Sequence, residues 1–310
     1  MPQNSLCFAS FVFGNYQKYI PYYIYSIRKT YPLSFVKIFV EKELDFNIKS
    51  ALQVLQENNI TNFEIVKVDI EYADYKNFKI KGGGGKLIRW LVGFEYFKEF
   101  EYVYIGDIDI FFLKEEVSVL HFHKAQLKQL QLPFSNKVRL FKDGNLTKRL
   151  TGLHFFKTKE YFEKVEPIIS KIKKDAIFRS EYLQGLKRDE HFLYKINKEA
   201  FQFHDKTVSK AERPWHGLHL GITRGNKGVD LKVIKENSSL AIPEIKKQLL
   251  AYAKDPVFKA LQKQVFIMEF AVILKELKIP ITKTWFYGGT KYQLKYKIKK
   301  IKHWLKGFVK

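Results

Sequence analysis

Two aspartates one residue apart lie within the apolar run Tyr102-Val-Tyr-Ile-Gly-Asp107-Ile-Asp109-Ile-Phe-Phe-Leu113. In a strand, alternation turns residues i and i+2 to one face, so both carboxylates are expected to meet one ion. Hard oxygen donors of this kind suit Mg2+ or Mn2+, which one or two carboxylates hold while substrate phosphates complete the octahedron, as the phosphates of a nucleoside diphosphate leaving group would. The triplet alone is not distinctive, since Asp69-Ile-Glu71 repeats it in the same chain. Its weight comes from standing after a fourth apolar strand, because ligands of open α/β sheets bind at the carboxyl ends of strands.

Basic residues precede that strand. Gly82 to Gly85 run into Lys86-Leu-Ile-Arg89, which places Lys86 and Arg89 on one face in the first turn of a helix whose free N–H groups also favour anions. Such a pair suits a diphosphate; the plain alternative is a surface loop followed by solvated cations. The segment is not a Walker A loop, because no glycine precedes at the required spacing and Leu87 stands where Ser or Thr would bind the metal.

The elements that must position these groups follow from periodicity. Leu6 to Phe13, Phe35 to Val40, Phe63 to Asp69 and Tyr102 to Leu113 read as strands rich in Phe, Val, Ile and Tyr. Tyr16, Ile20, Tyr23, Ile24 and Ile27 fall at helical spacing, as do Leu87, Trp90, Leu91, Phe94 and Phe97. This βα alternation predicts an α/β fold with a mostly parallel sheet flanked by helices. A strand is expected at Leu153 to Lys157, with helices over Thr158 to Ile172 and Asp189 to Asn197. From Ile242 onward the pattern is helical, so a catalytic domain over 1–240 (halves 1–113 and 114–240) and a helical C-terminal region over 241–310 are expected.

The 310 residues are 46% hydrophobic and 16% aromatic, which excludes a disordered chain. The single cysteine, Cys7, excludes an intrachain disulfide framework and a thiolate zinc site and fits a reducing interior. No run reaches the ~18 to 20 apolar residues of a membrane span, and no export signal is evident. A cytoplasmic protein is expected. Lys and Arg number 55 against 32 acids, a net charge of +23 that favours a polyanionic partner. Along the tail 291–310, Leu294, Ile298, Ile301, Leu305 and Phe308 share one helical face beside Trp304, and eight lysines take other positions. A basic amphipathic helix of this type predicts peripheral attachment to an anionic membrane surface; a helix docked on the catalytic domain is the alternative.

An early apolar strand, an aromatic helix and then Tyr-Ile-Gly-Asp107-Ile-Asp109 about a hundred residues in together resemble the DxD-containing GT-A glycosyltransferases of bacterial surface-polysaccharide assembly. The resemblance spans roughly residues 5 to 225, with the DxD block as its one recognisable motif. It implies a GT-A, Rossmann-like fold, a Mn2+ or Mg2+ cofactor, a nucleotide-sugar donor (a UDP-sugar first) and a saccharide or lipid-linked acceptor. Arg213-Pro-Trp-His216-Gly-Leu-His219 resembles the late histidine segment that returns a third ligand to the metal, with His219 preferred over His216. Asp189 and Glu190 resemble the acidic segment that faces the acceptor, where a carboxylate acts as general base or stabilises positive charge.

Thr151-Gly-Leu-His154 looks like the edge that contacts the sugar; a core role is the alternative for His154. The turn after the first strand receives the nucleotide base in this fold, where Phe11 or Tyr16 would stack on uracil; core packing is the favoured alternative for Phe11 and Phe13, whereas the polar tip of Tyr16 suits a pocket rim. Asp69 would bind ribose hydroxyls, as an acid does in dinucleotide folds. Two other readings compete. A sugar nucleotidyltransferase would ordinarily carry a Gly-rich signature directly after the first strand, where Phe11-Val-Phe-Gly14 offers one glycine. A basic nucleic-acid-binding protein fits the charge, but the chain has no recognised nucleic-acid motif, and no such partner is expected.

Overall fold

In the computed structural model, residues 5–68, 85–212, 216–225, 228–229, 243–285 and 298 are described. Asp69, Gly82 to Gly84, the segment 213–215 and the tail 291–310, apart from Ile298, lie outside them. The expected strands appear as β1 (Leu6–Val12), β2 (Phe35–Val40), β3 (Phe63–Lys67) and β4 (Tyr102–Ile105). They run parallel in the order β3-β2-β1-β4. Two further strands, β6 (Phe134–Ser135) and β9 (His154–Lys157), extend the sheet beyond β4, with β9 antiparallel to both neighbours. The protein therefore has an α/β fold with a mostly parallel sheet flanked by helices.

Every residue of β1 is buried because both faces of the sheet are covered, as continuous apolar strands require. Alternation then splits the strand between two cores. Leu6, Phe8 and Val12 join the core beneath α1 (Ile20–Thr30) and α2 (Phe46–Glu57), whereas Cys7, Ala9 and Phe11 join that beneath α5 (Thr158–Lys174) and α7 (Asp189–Phe201). The first core also takes in the C-terminal helices α9 (Pro243–Lys254), α10 (Pro256–Gln264) and α11 (Met268–Glu276). Phe258 and Trp285 pack their rings on Tyr22 of α1 at 5.8 and 5.7 Å. Among the described residues no helix is long and apolar enough to cross a membrane.

Two local expectations are corrected. The run from Leu87 to Phe97 is not one helix: α3 (Gly85–Ile88) lasts a single turn and a 3-10 turn follows at Phe94–Tyr96. Gly93 sits between them against the Glu166 carboxylate, which accepts the Phe94 N–H at 2.7 Å. Leu87, Leu91 and Phe97 are nonetheless buried, so helical spacing here reported burial rather than hydrogen bonding. Likewise Tyr102 to Leu113 is not one strand. β4 ends at Ile105, a turn carries both aspartates, and β5 (Ile110–Phe112) leaves the main sheet to pair with β10 (Gly217–His219).

Candidate active site

The order β3-β2-β1-β4 reverses its direction of winding between β1 and β4, which makes a crevice at their carboxyl ends. A cleft of about 310 Å³ opens there. β1 and the turn after it supply Ser10, Phe11, Phe13 and Tyr16; the turn after β4 supplies Gly106 to Asp109; Lys86 and Arg89 come from α3 and its end. His219 and Gly221 close the far wall. Of the residues expected to bind a nucleotide-sugar or metal, the structure brings together Phe11, Tyr16, Lys86, Arg89, Asp107, Asp109 and His219.

Backbone pairing delivers the histidine. In the β5–β10 ribbon His219 stands opposite Ile110, and the Leu220 N–H donates to the Asp109 carbonyl at 2.8 Å. The His219 Nε2 then lies 3.1 Å from Asp109 Oδ1. One donor atom from each of Asp107, Asp109 and His219 lies within 4.8 Å of the others. Two hard carboxylates and one imidazole at this spacing suit a single Mn2+ or Mg2+ after small side-chain adjustment. A turn, not strand alternation, thus brings the two carboxylates together. His216 does not join them: it is 1% exposed and stacks at 5.6 Å on His123 of α4 (Val119–Leu130).

Glycines keep this corner compact. Gly217 adopts φ +127°, and a side chain there would strike the Phe111 carbonyl. A methyl group on Gly221 would collide with Asp109 Oδ2 and sit 3.1 Å from His219 Nε2. Gly221 and Phe13 also line the cleft, although the sequence reading leaves Gly221 unassigned and favours a core position for Phe13. His219-Leu-Gly221 carried the signal for the first, and ring spacing carries that for the second. Phe11, Phe13, Tyr16 and Tyr19 form a ladder of rings with centroids 6.3, 5.7 and 5.9 Å apart; Tyr19 is buried in the core, and the other three line the cleft where a planar base could stack.

Arg89 bridges two carboxylates. Its guanidinium donates to Asp107 Oδ1 at 2.8 Å and to Asp189 Oδ2 at 2.5 Å. It lies 4.4 Å from the centroid of Trp90, whose indole N–H is 3.4 Å from the same Asp189 oxygen. Burial acts to lower the guanidinium pKa, but Asp189 and Asp107 outweigh it and hold the pKa above its ordinary value. The two acids expected to act on the acceptor therefore do not line the cleft. Asp189 is 5% exposed and tied to Arg89. Glu190 turns the other way, to Arg139 at 2.9 Å and Arg149 at 3.3 Å.

His154 lies beneath the cleft rather than on it. It is 1% exposed, edge-on to Trp90 at 6.1 Å, with Nδ1 3.0 Å from Asn136 Nδ2. The Asn136 amide oxygen accepts the Thr151 and Lys137 N–H groups, so its nitrogen donates to His154, which is neutral with its proton on Nε2. Burial pulls His154 down to about 3, with His123 adding to the shift; burial does the same to His123.

Both groups bind fewer protons folded than unfolded between pH 3 and about 6.5, so they make stability rise with pH across that window. Between pH 7.5 and 5 each is expected to remove about 2 kcal/mol. Urea unfolding at these pH values checks this. A His123→Gln variant with the wild-type pH slope would contradict it.

No protein-family model matches the chain, and no curated protein does. Solved structures similar to it include glycosyltransferases. One is the galactosyltransferase LgtC with donor and acceptor sugar analogues, 13% identical, covering 68% of this chain and 85% of that one at a TM-score of 0.43. An active-site mutant of LgtC is 14% identical over 74% of this chain and 93% of its own, with a TM-score of 0.44. The glycosyltransferase GlyE of Streptococcus pneumoniae is 13% identical, with 64% of this chain matching 44% of that one at a TM-score of 0.37. At such identities function must come from the chemistry of the site.

Proposed function

We propose that this protein is a metal-dependent glycosyltransferase of the GT-A type, moving a sugar from a nucleotide-sugar, a UDP-sugar first, to a saccharide acceptor. The observation that carries the reading is the convergence of Asp107, Asp109 and His219 at the switch point between β1 and β4. When bound by these three, Mn2+ or Mg2+ would neutralise the diphosphate that departs from the sugar.

The chain's own residues do the rest. Lys86 lines the cleft and makes no ion pair with another described residue, so its ammonium is available to a phosphate oxygen. Arg89 presents a charged face to the same cleft while its other contacts fix Asp107. The ring ladder from Phe11 to Tyr16 would take the base. Asp189, bonded to Arg89 and not facing the cleft, is read as a positioning residue. In this reading the lysine-rich tail brings the enzyme to an anionic membrane that presents a lipid-linked acceptor.

Thermal-shift measurements with UDP, with and without Mn2+, test the proposal directly. UDP is expected to raise the melting temperature only when Mn2+ is present, and chromatography should then show slow release of UDP from a UDP-hexose. Stabilisation by single-stranded nucleic acid with none by UDP and Mn2+ would overturn it.

A further inference from the structure

Asp189 and Glu190 are neighbours in the first turn of α7, yet they answer to two separate sets of cations. Asp189 is consumed by Arg89 at the cleft. Glu190, 14% exposed at its side chain, is shared between Arg139 of β7 (Val138–Leu140) and Arg149 of β8 (Leu146–Leu150). Arg188 stands half-buried one residue before Asp189 and has no ion-pair partner among the described residues, and Lys187 is exposed beside it. Two arginines thus share one carboxylate, and Arg188 adds a third positive charge near Arg149.

That imbalance is costly where water is scarce. Arg149 is 19% exposed at its side chain, its buried Nε pairs with Glu190 Oε2 at 3.3 Å without hydrogen-bond geometry, and the Arg139 Nε is buried with no hydrogen bond. Burial pulls Arg149 below its ordinary pKa; Glu190 and, to a lesser extent, Asp189 oppose this, and Arg139 and Arg188 add to it. Half-buried like charges with unused N–H donors are expensive unless an anion completes them. Guanidinium groups are the side chains best shaped to grip a phosphate bidentately. The patch is joined to the cleft along the chain. Three residues beyond Arg149 the chain reaches Gly152, where a Cβ would lie 3.1 Å from the Arg89 guanidinium.

We propose that Arg139, Arg149 and Arg188 form a phosphate-recognition subsite beside the cleft, so that the acceptor is a saccharide carrying a phosphate group. This rests on the glycosyltransferase reading for the word acceptor, whereas the subsite itself can be tested without any transfer. The phosphate could belong to a soluble sugar phosphate or to a lipid headgroup, and the chemistry of recognition is the same.

The test is calorimetric binding of glucose 1-phosphate to the full chain in EDTA, with UDP plus Mn2+ binding measured separately on the same preparations. Arg149→Gln and Arg188→Gln are each expected to weaken glucose 1-phosphate at least about tenfold. Glu190→Gln, which removes the competing carboxylate, should tighten it severalfold, a gain that a purely structural role would not produce. Lys86→Ala should leave it within about twofold, because Lys86 belongs to the cleft.

Competition by phosphatidylglycerol vesicles for the same two arginines would support the subsite with a lipid source, and its absence beside intact glucose 1-phosphate binding would support it with a soluble one. The proposal is overturned if the wild type shows no binding at millimolar concentration, if both arginine variants bind as the wild type does, or if Lys86→Ala alone abolishes binding. Arg188→Gln breaks no ion pair among the described residues, so it remains informative even if Arg149→Gln disturbs the hairpin. Retained UDP–Mn2+ binding with no glucose 1-phosphate binding would sink this inference alone. Loss of UDP–Mn2+ binding in the wild type would instead remove the glycosyltransferase reading.

Discussion

Asp109→Ala is expected to lower sugar transfer by at least about a hundredfold to a thousandfold while changing the fold little, because the carboxylate acts on charge that develops in the reaction. The side chain is wedged where Gly221 leaves no room for a methyl, 3.1 Å from His219 Nε2, and its removal dismantles the donor set. His219 is 39% exposed at its side chain and can bond water instead, and the nearby Asp107 carboxylate is relieved of a like charge. Two measurements separate these effects. In the wild type, Mn2+ at a hundred times its Kd should add about 2.7 kcal/mol of stability, and in the variant nearly none. UDP-sugar turnover should collapse in parallel. Near-normal turnover of Asp109→Ala in Mn2+ buffer would falsify the metal assignment.

The parts of this molecule that were legible in the sequence are those decided by local pattern. β1 and β2 are buried on both faces, so Leu6–Val12 and Phe35–Val40 read as apolar runs, each interrupted by one polar residue, Ser10 and Lys37, whatever lies around them. The proximity of Asp107 and Asp109 was legible for a similar reason, since they are two residues apart. How they converge was not, because Gly106 ends β4 and Ile110 begins a ribbon with a strand more than a hundred residues later. Leu87 to Phe97 misled through the same limit. Apolar spacing records which residues face the core, and the carboxylate that holds the Phe94 N–H comes from Glu166, 72 residues away.

Long-range ion pairing hid the most. Asp189 and Glu190 look like free acids at a helix start, a place where acids are favourable on general grounds. In the fold one is claimed by Arg89, 100 residues upstream, and the other by Arg139, 51 residues upstream. Nothing in either acid's local sequence announces those partners. The same pairing explains why the basic residue expected to grip a phosphate also organises the site: Arg89 is legible as a cation and illegible as a bridge.

Arg89→Ala therefore carries the largest expected penalty in stability. Among the described residues it leaves Asp189, 8% exposed at its side chain, with the Trp90 indole N–H at 3.4 Å as its side-chain partner. Breaking a buried pair from one side costs about 3 to 5 kcal/mol. For a chain of this size that corresponds to a fall in melting temperature on the order of 10 °C. Adding Asp189→Asn should restore much of the loss, because it removes the uncompensated charge rather than rebuilding the contact. Transfer should not recover in the double variant, since Asp107 still lacks the guanidinium that fixes it at 2.8 Å. UDP affinity in Mn2+ should stay at least about tenfold weaker in both, each factor of ten being ~1.4 kcal/mol. Melting curves and UDP titrations on the two variants read stability and site separately. If Arg89→Ala melted within a degree or two of the wild type and bound UDP normally, the bridge between Asp107 and Asp189 would organise neither the fold nor the cleft.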